Sequence, residues 1–98
     1  MKILELKRKA NLIYREHCPR GAVDIAACYK AGMIPQEKLV HGKVYVGYCR
    51  NADEALWQQD IKSFVYLRGK FGDIFDEMIP SPEDDNGFDV FVPVAEVL

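Results

Sequence analysis

Ninety-eight residues and 11.2 kDa are enough for one hydrophobic core, and two would each fall near the size at which a core becomes marginal. At 49% hydrophobic and 29% charged residues, the chain has the apolar surface to fold, which excludes a disordered linker. Its formal net charge of −2 hides an asymmetry: residues 1–70 hold all 13 Lys and Arg against 7 acids, a formal +6, and residues 71–98 hold 8 acids and no base, a formal −8. That excludes a uniformly basic nucleic-acid coat and a uniformly acidic mimic, and leaves a dipolar molecule.

From the N-terminus, Ile3, Leu6, Ala10, Ile13 and His17 recur at helical spacing, with Lys7, Arg8, Lys9 and Arg15 on other faces. This predicts an amphipathic helix over 3–17, stopped by Pro19-Arg20-Gly21. A short second helix is expected over 22–31, opened by Gly21-Ala22-Val23-Asp24 and ended by Ala31-Gly32; Pro35 begins one further turn at 35–39. After His41-Gly42 the period changes, and Lys43–Tyr48 reads as a strand.

Residues 55–58 read two ways. Asn51 with Glu54 can form a capping box that opens a helical turn, or Ala55 and Trp57 alternate as a strand that pairs with the next. Residues 63–68 are a clearer strand, with Phe64, Tyr66 and Arg68 on one face. Gly69 and Gly72 bracket a turn at Lys70-Phe71, and 73–79 alternates again. Pro80 to Gly87 is a loop ending in the tight-turn pair Asn86-Gly87, and Phe88–Val92 closes as a last strand with Pro93 at its edge.

The expected fold is α+β: two or three N-terminal helices packed on a four- to five-stranded, mostly antiparallel sheet. Glycines at 47, 69 and 72 would let that sheet curl into a small barrel. One domain spans 1–98, with a helical layer over 1–40 and a β-rich part over 41–98. The first nine residues lack the pattern of a secretory leader, and no apolar run suits a membrane span. Cys18, Cys28 and Cys49 are odd in number and contain no close pair, which fits a reducing cytoplasm better than a disulfide framework. A zinc site would have to recruit His17, Cys18, Cys28, His41 and Cys49, whose spacing lacks the two tight pairs of structural zinc, so buried thiols and no metal are expected.

Two constellations carry chemistry. Residues 43–71 concentrate bases and rings, with one amide: Lys43, Tyr45, Tyr48, Arg50, Asn51, Trp57, Phe64, Tyr66, Arg68, Lys70 and Phe71. Guanidinium groups grip phosphate bidentately, an amide reads a base or ribose edge, and aromatic faces stack on bases. Arg50, Asn51, Arg68, Lys70, Tyr45, Trp57 and Phe71 are therefore the candidate ligand set, although the same rings suit a half-buried sheet and the same arginines suit salt bridges to the acidic third. The second constellation is acidic: Glu83, Asp84, Asp85 and Asp89. Counted from Asp84, a calcium loop fails, because Phe88 stands at position 5 and Asp89 at position 6. A solvated turn or an acidic surface for a basic partner remains. His41 before Cys49, and His17 beside Cys18, would need a third orienting group and an oxyanion site to act in nucleophilic catalysis, and spacing alone defines neither. No GxSxG, HExxH, Walker loop or GxGxxG occurs, so neither an enzyme nor a cofactor is expected.

The stretch from His41 to Pro93 resembles a family of small phage and prophage proteins. The resemblance rests on His41-Gly42-Lys43, Tyr45, Gly47, Cys49-Arg50-Asn51-Ala52, Ala55, Trp57, Phe64, Tyr66, Arg68, Lys70-Phe71-Gly72 and Phe75. It closes on Pro82 to Gly87 and on Asp89-Val90-Phe91-Val92-Pro93. It implies a virus-borne origin, action in the host cytoplasm, and a part in host takeover or counter-defence. Such a protein either sequesters a nucleotide immune signal or blocks a defence complex. The first role expects a homo-oligomer that builds its pocket between copies, with no direct nucleic-acid or membrane contact. The second expects the acidic residues to occupy a host nucleic-acid-binding protein.

Overall fold

The computed structural model describes residues 3–19, 23–49, 52–68, 73–79, 82 and 90–97, with the backbone alone for 52, 66–68 and 73–78. In chain order the elements are α1 (Ile3–His17), α2 (Ile25–Ala31), a 3-10 turn (Gln36–Lys38), β1 (Val44–Cys49), β2 (Ala52–Gln58), β3 (Ser63–Arg68), β4 (Asp73–Ile79) and β5 (Val92–Glu96). The α+β expectation holds.

Helix α1 has the bounds its spacing predicts and buries Ala10 and Ile13; it packs on β1 and β5. Helix α2 starts later than expected, because Asp24 caps it: its carboxylate accepts the Ala27 N–H at 3.1 Å and satisfies one of the free donors of the first turn. At its other end Gly32 adopts φ 116°. The Gly32 N–H then reaches the Tyr29 carbonyl at 3.0 Å and the Met33 N–H reaches that of Cys28 at 2.9 Å. That pair of bonds is the Schellman closure, which needs the left-handed conformation glycine tolerates.

The sheet order is β4-β3-β2-β1-β5, and every neighbouring pair is antiparallel. With β4 and β5 at opposite edges the sheet is open, so the expected curling into a barrel is corrected. Of the glycines behind that expectation, 69 and 72 lie outside the described residues, and Gly47 serves a different purpose, described below. The ambiguity over 55–58 resolves as strand. Val44 pairs with Leu56 on one side, and Leu56 pairs with Val65 on the other; two ladders satisfy more backbone groups than a single capped turn. The β2–β3 hairpin turns through 59–62, where the Lys62 N–H reaches the Gln59 carbonyl at 3.2 Å and Lys62 takes φ 49°.

The last strand is displaced from the expected 88–92 to Val92–Glu96. Val90 and Phe91 are apolar because they are fully buried, not because they pair in the sheet. Pro93 instead stands inside edge strand β5. Its carbonyl accepts the Ile34 N–H at 2.9 Å, so the residue faces away from β1 and its missing N–H removes no bond from the β1 ladder.

Two cores lie on the two faces of the sheet. Ile13, Cys18, Cys28, Met33, Val90 and Val92 cluster under the helices. Tyr45, Cys49, Trp57, Phe64, Ile79 and Phe91 are part of the other cluster, covered by Leu39 and Ile34. There the rings form a row: Trp57 to Phe64 at 4.9 Å and Phe64 to Phe91 at 4.7 Å between centroids, tilted pairs worth about 1 kcal/mol each beyond their burial. Gly47 makes room for the row. A Cβ there would run into the Val92 carbonyl and sit 2.7 Å from the Phe91 ring.

Gly47→Ala should therefore destabilise the fold by about 3 kcal/mol, because the obstacle is backbone and cannot rotate away. Urea unfolding should show a lower midpoint, and unchanged stability would mean that β5 is not held this closely.

Candidate functional site

The ladder determines which connections meet. Cys49 is opposite Ala52, Arg68 is opposite Asp73, and Tyr48 is opposite Val92. The ends that flank residues 50–51, the ends that flank 69–72 and the start of β5 therefore share one end of the sheet. Continuing the β2–β3 register, in which Ala55 faces Tyr66, brings Arg68 level with Asp53. Strands β1 and β3 are two strand spacings apart, about 10 Å. Arg50, Asn51, Lys70 and Phe71 lie outside the described residues, as do Glu83, Asp84, Asp85 and Asp89; for Arg68 the strand position is described. One further cation joins this end. The Lys7 ammonium on α1 lies 3.1 Å from the Asp53 carboxylate, a contact between residues 46 positions apart that helix periodicity does not reveal.

Two candidate rings have other work. Tyr45 is 3% exposed, and its hydroxyl oxygen accepts the Val40 N–H at 2.9 Å. Trp57 is fully buried and donates its indole N–H to Gln59 Oε1 at 3.0 Å. Neither presents a face to a ligand, which corrects their assignment as stacking groups. Both are large apolar surfaces on the inner side of the sheet, where burial gains more than a solvent-facing stack would. Lys43, from the same stretch, reaches Glu96 at 3.5 Å, so part of the basic body is matched to the acidic third on the surface. In the β3–β4 ladder Arg68 and Asp73 occupy opposite positions.

The histidines and cysteines do not assemble. Cys49 belongs to the aromatic core, whereas Cys18 and Cys28 lie in the core under the helices. His41 holds the opposite end of the sheet, its Nδ1 accepting the Gln59 N–H at 3.0 Å, and His17 Nε2 stands 3.8 Å from Glu16. Of the five residues considered for zinc, Cys18 and Cys28 are neighbours close to the His17 backbone, whereas His41 and Cys49 lie elsewhere, and among the described residues no group of three His, Cys, Asp or Glu side chains is gathered for a metal. Burial, with Cys28 beside it, pushes the Cys18 thiol up to about 12, and burial raises Cys28 as well. Both thiols are protonated at neutral pH, the wrong form for a nucleophile or a metal ligand.

At the opposite end of the sheet, Gln36, Glu37, Gln59 and Lys62 line an open cleft of about 450 Å³. Sequence reasoning missed it because it joins the 3-10 turn to the β2–β3 hairpin across a long stretch of chain. Its one ammonium is offset by one carboxylate, so the lining has no charge preference for an anion. Among the described residues no helix is long and apolar enough to cross a membrane.

Fold and site together define a small α+β domain with an open five-stranded antiparallel sheet and base-bearing connections at one end. Compared with protein-family models, curated proteins and solved structures, the chain has no match.

The buried Trp57 gives a direct check on the corrected ring assignment. Its emission should be blue-shifted and resist iodide quenching in the folded chain, and Trp57→Ala should cost about 4 kcal/mol in urea unfolding. Efficient quenching would place the indole at the surface.

Proposed function

We propose that the chain is a small non-enzymatic binding protein that takes an anionic, nucleotide-type ligand at the end of the sheet joining β1 to β2 and β3 to β4. The observation that carries the reading is the antiparallel order, which brings the strand ends flanking Arg50-Asn51 and Gly69-Lys70-Phe71 together beside Arg68. Two guanidinium groups and an ammonium would hold phosphates bidentately and as a point charge. Asn51 would read a base or ribose edge, and Phe71 would stack in place of the buried Tyr45 and Trp57. Single small domains offer little concavity, so a second copy completes the pocket in this reading. The resemblance to phage proteins adds the setting: sequestration of a nucleotide immune signal in an infected cell.

A second reading is favoured by the start of β5. Val92 opens that strand at the same end, and the acidic stretch Glu83, Asp84, Asp85 and Asp89 precedes it in the chain. In this reading those carboxylates imitate phosphates and block a host nucleic-acid-binding defence protein.

Isothermal titration with cyclic dinucleotides and ADP-ribose separates the two. The first reading expects binding that Arg50→Ala and Arg68→Ala each weaken by about tenfold or more. No binding by the panel, or unchanged affinity in both variants, overturns it. Inhibition lost only when the four acids are neutralised would favour the second.

A further inference from the structure

Outside the proposed binding end, the most specific chemical juxtaposition is the pair of buried thiols. Cys18, just beyond α1, and Cys28, inside α2, place their Sγ atoms 3.6 Å apart. The Cys28 thiol also lies 3.9 Å from the His17 carbonyl oxygen. Cys28 is fully buried, whereas Cys18 retains 6% exposure. Both are free.

We propose that Cys18 and Cys28 form an oxidative modification site, a latent disulfide that fastens α2 to the end of α1 when the chain meets a peroxide. The S–S bond is about 2.05 Å long, so the sulfurs must close by about 1.5 Å. Cys18, the less completely buried of the two, reacts first. Its thiolate attacks a peroxide oxygen, the O–O bond breaks, and Cys18 becomes a sulfenic acid as hydroxide leaves and takes up the thiol's proton as water. The Cys28 sulfur then attacks the Cys18 sulfur, forming the S–S bond, and the sulfenic hydroxyl leaves with the Cys28 proton as a second water. Two thiols are oxidised and one hydrogen peroxide is reduced to two waters.

The environment sets the pace. Burial holds both thiols in the protonated form at neutral pH, so the reaction is slow there and accelerates as pH rises, about tenfold per unit while the thiolate fraction remains small. Cys49 takes no part, because it lies in the aromatic core on the other face of the sheet. The new ring closes a short loop and confines the unfolded chain, so the oxidised protein should melt about 5 °C or more higher.

The experiment treats the reduced full-length chain with hydrogen peroxide at several pH values and follows intact mass, thiol titration in denaturant and peptide mapping. The expected product is monomer lighter by two hydrogens, with one titratable thiol left, a Cys18–Cys28 crosslinked peptide, a raised melting temperature that dithiothreitol reverses, and a rate rising with pH. Cys49→Ser should behave alike, and Cys18→Ser should yield no internal crosslink. A crosslink that includes Cys49, a disulfide formed only in denaturant, or three thiols surviving peroxide that oxidises an unfolded sample would overturn the proposal.

Discussion

Phe91 rests against β1 at the one position where that strand has no side chain, Gly47, and the remainder of the molecule is arranged around that contact. The ring continues the row from Trp57 and Phe64, while its neighbours Val90 and Val92 turn toward the helices. Three consecutive residues thus enter both cores. The chain leaves β4 at Ile79, on the edge opposite β5, and must cross the sheet to reach Val92. The seat beside Gly47 fixes where that crossing ends. It also decides that β5 runs beside β1 and starts at the end where β1 meets β2.

The same crossing governs the charge asymmetry. Strand β5 belongs to the acidic third, and laying it beside β1 brings Glu96 to Lys43. Pairing β4 with β3 sets Asp73 opposite Arg68. The Lys43–Glu96 pair is exposed, and such a pair contributes little and weakens with salt. The Arg68–Asp73 register keeps like charges from standing opposite one another across the ladder. Lys7 and Asp53, both in the basic part, add a contact between helix and sheet. Strands β4 and β5, which belong to the acidic third, stand at the two edges of the sheet with β1 to β3 between them.

Local pattern reached the elements whose physics is local. Helix α1 has period and punctuation in its own residues, and β3 and β4 alternate within theirs. Where the deciding partner was distant, the pattern fell short. Residues 55–58 become strand because β1 and β3 flank them, and neither neighbour is visible from Asn51 and Glu54. The apolar run at 88–92 reads as a strand, but its burial serves two cores, and the pairing residues that follow include a proline that only an edge can accept. Tyr45 and Trp57 carry the composition of a ligand platform, and their hydrogen bonds to Val40 and Gln59 are what identify them as core. The thiol pair was equally hidden: a ten-residue separation acquires meaning only once α2 packs against α1.

The central claim is that one end of the sheet, and not the cleft at the other, receives an anion. Amide NMR spectra of the isotope-labelled chain during titration with inorganic pyrophosphate test it most directly, because pyrophosphate carries the phosphate chemistry without a base. Perturbations should concentrate at Cys49, Ala52, Arg68 and Asp73 and leave Gln36, Gln59 and Lys62 in place. Shifts centred on the 59–62 hairpin, or none at concentrations where a phosphate site would fill, would contradict it.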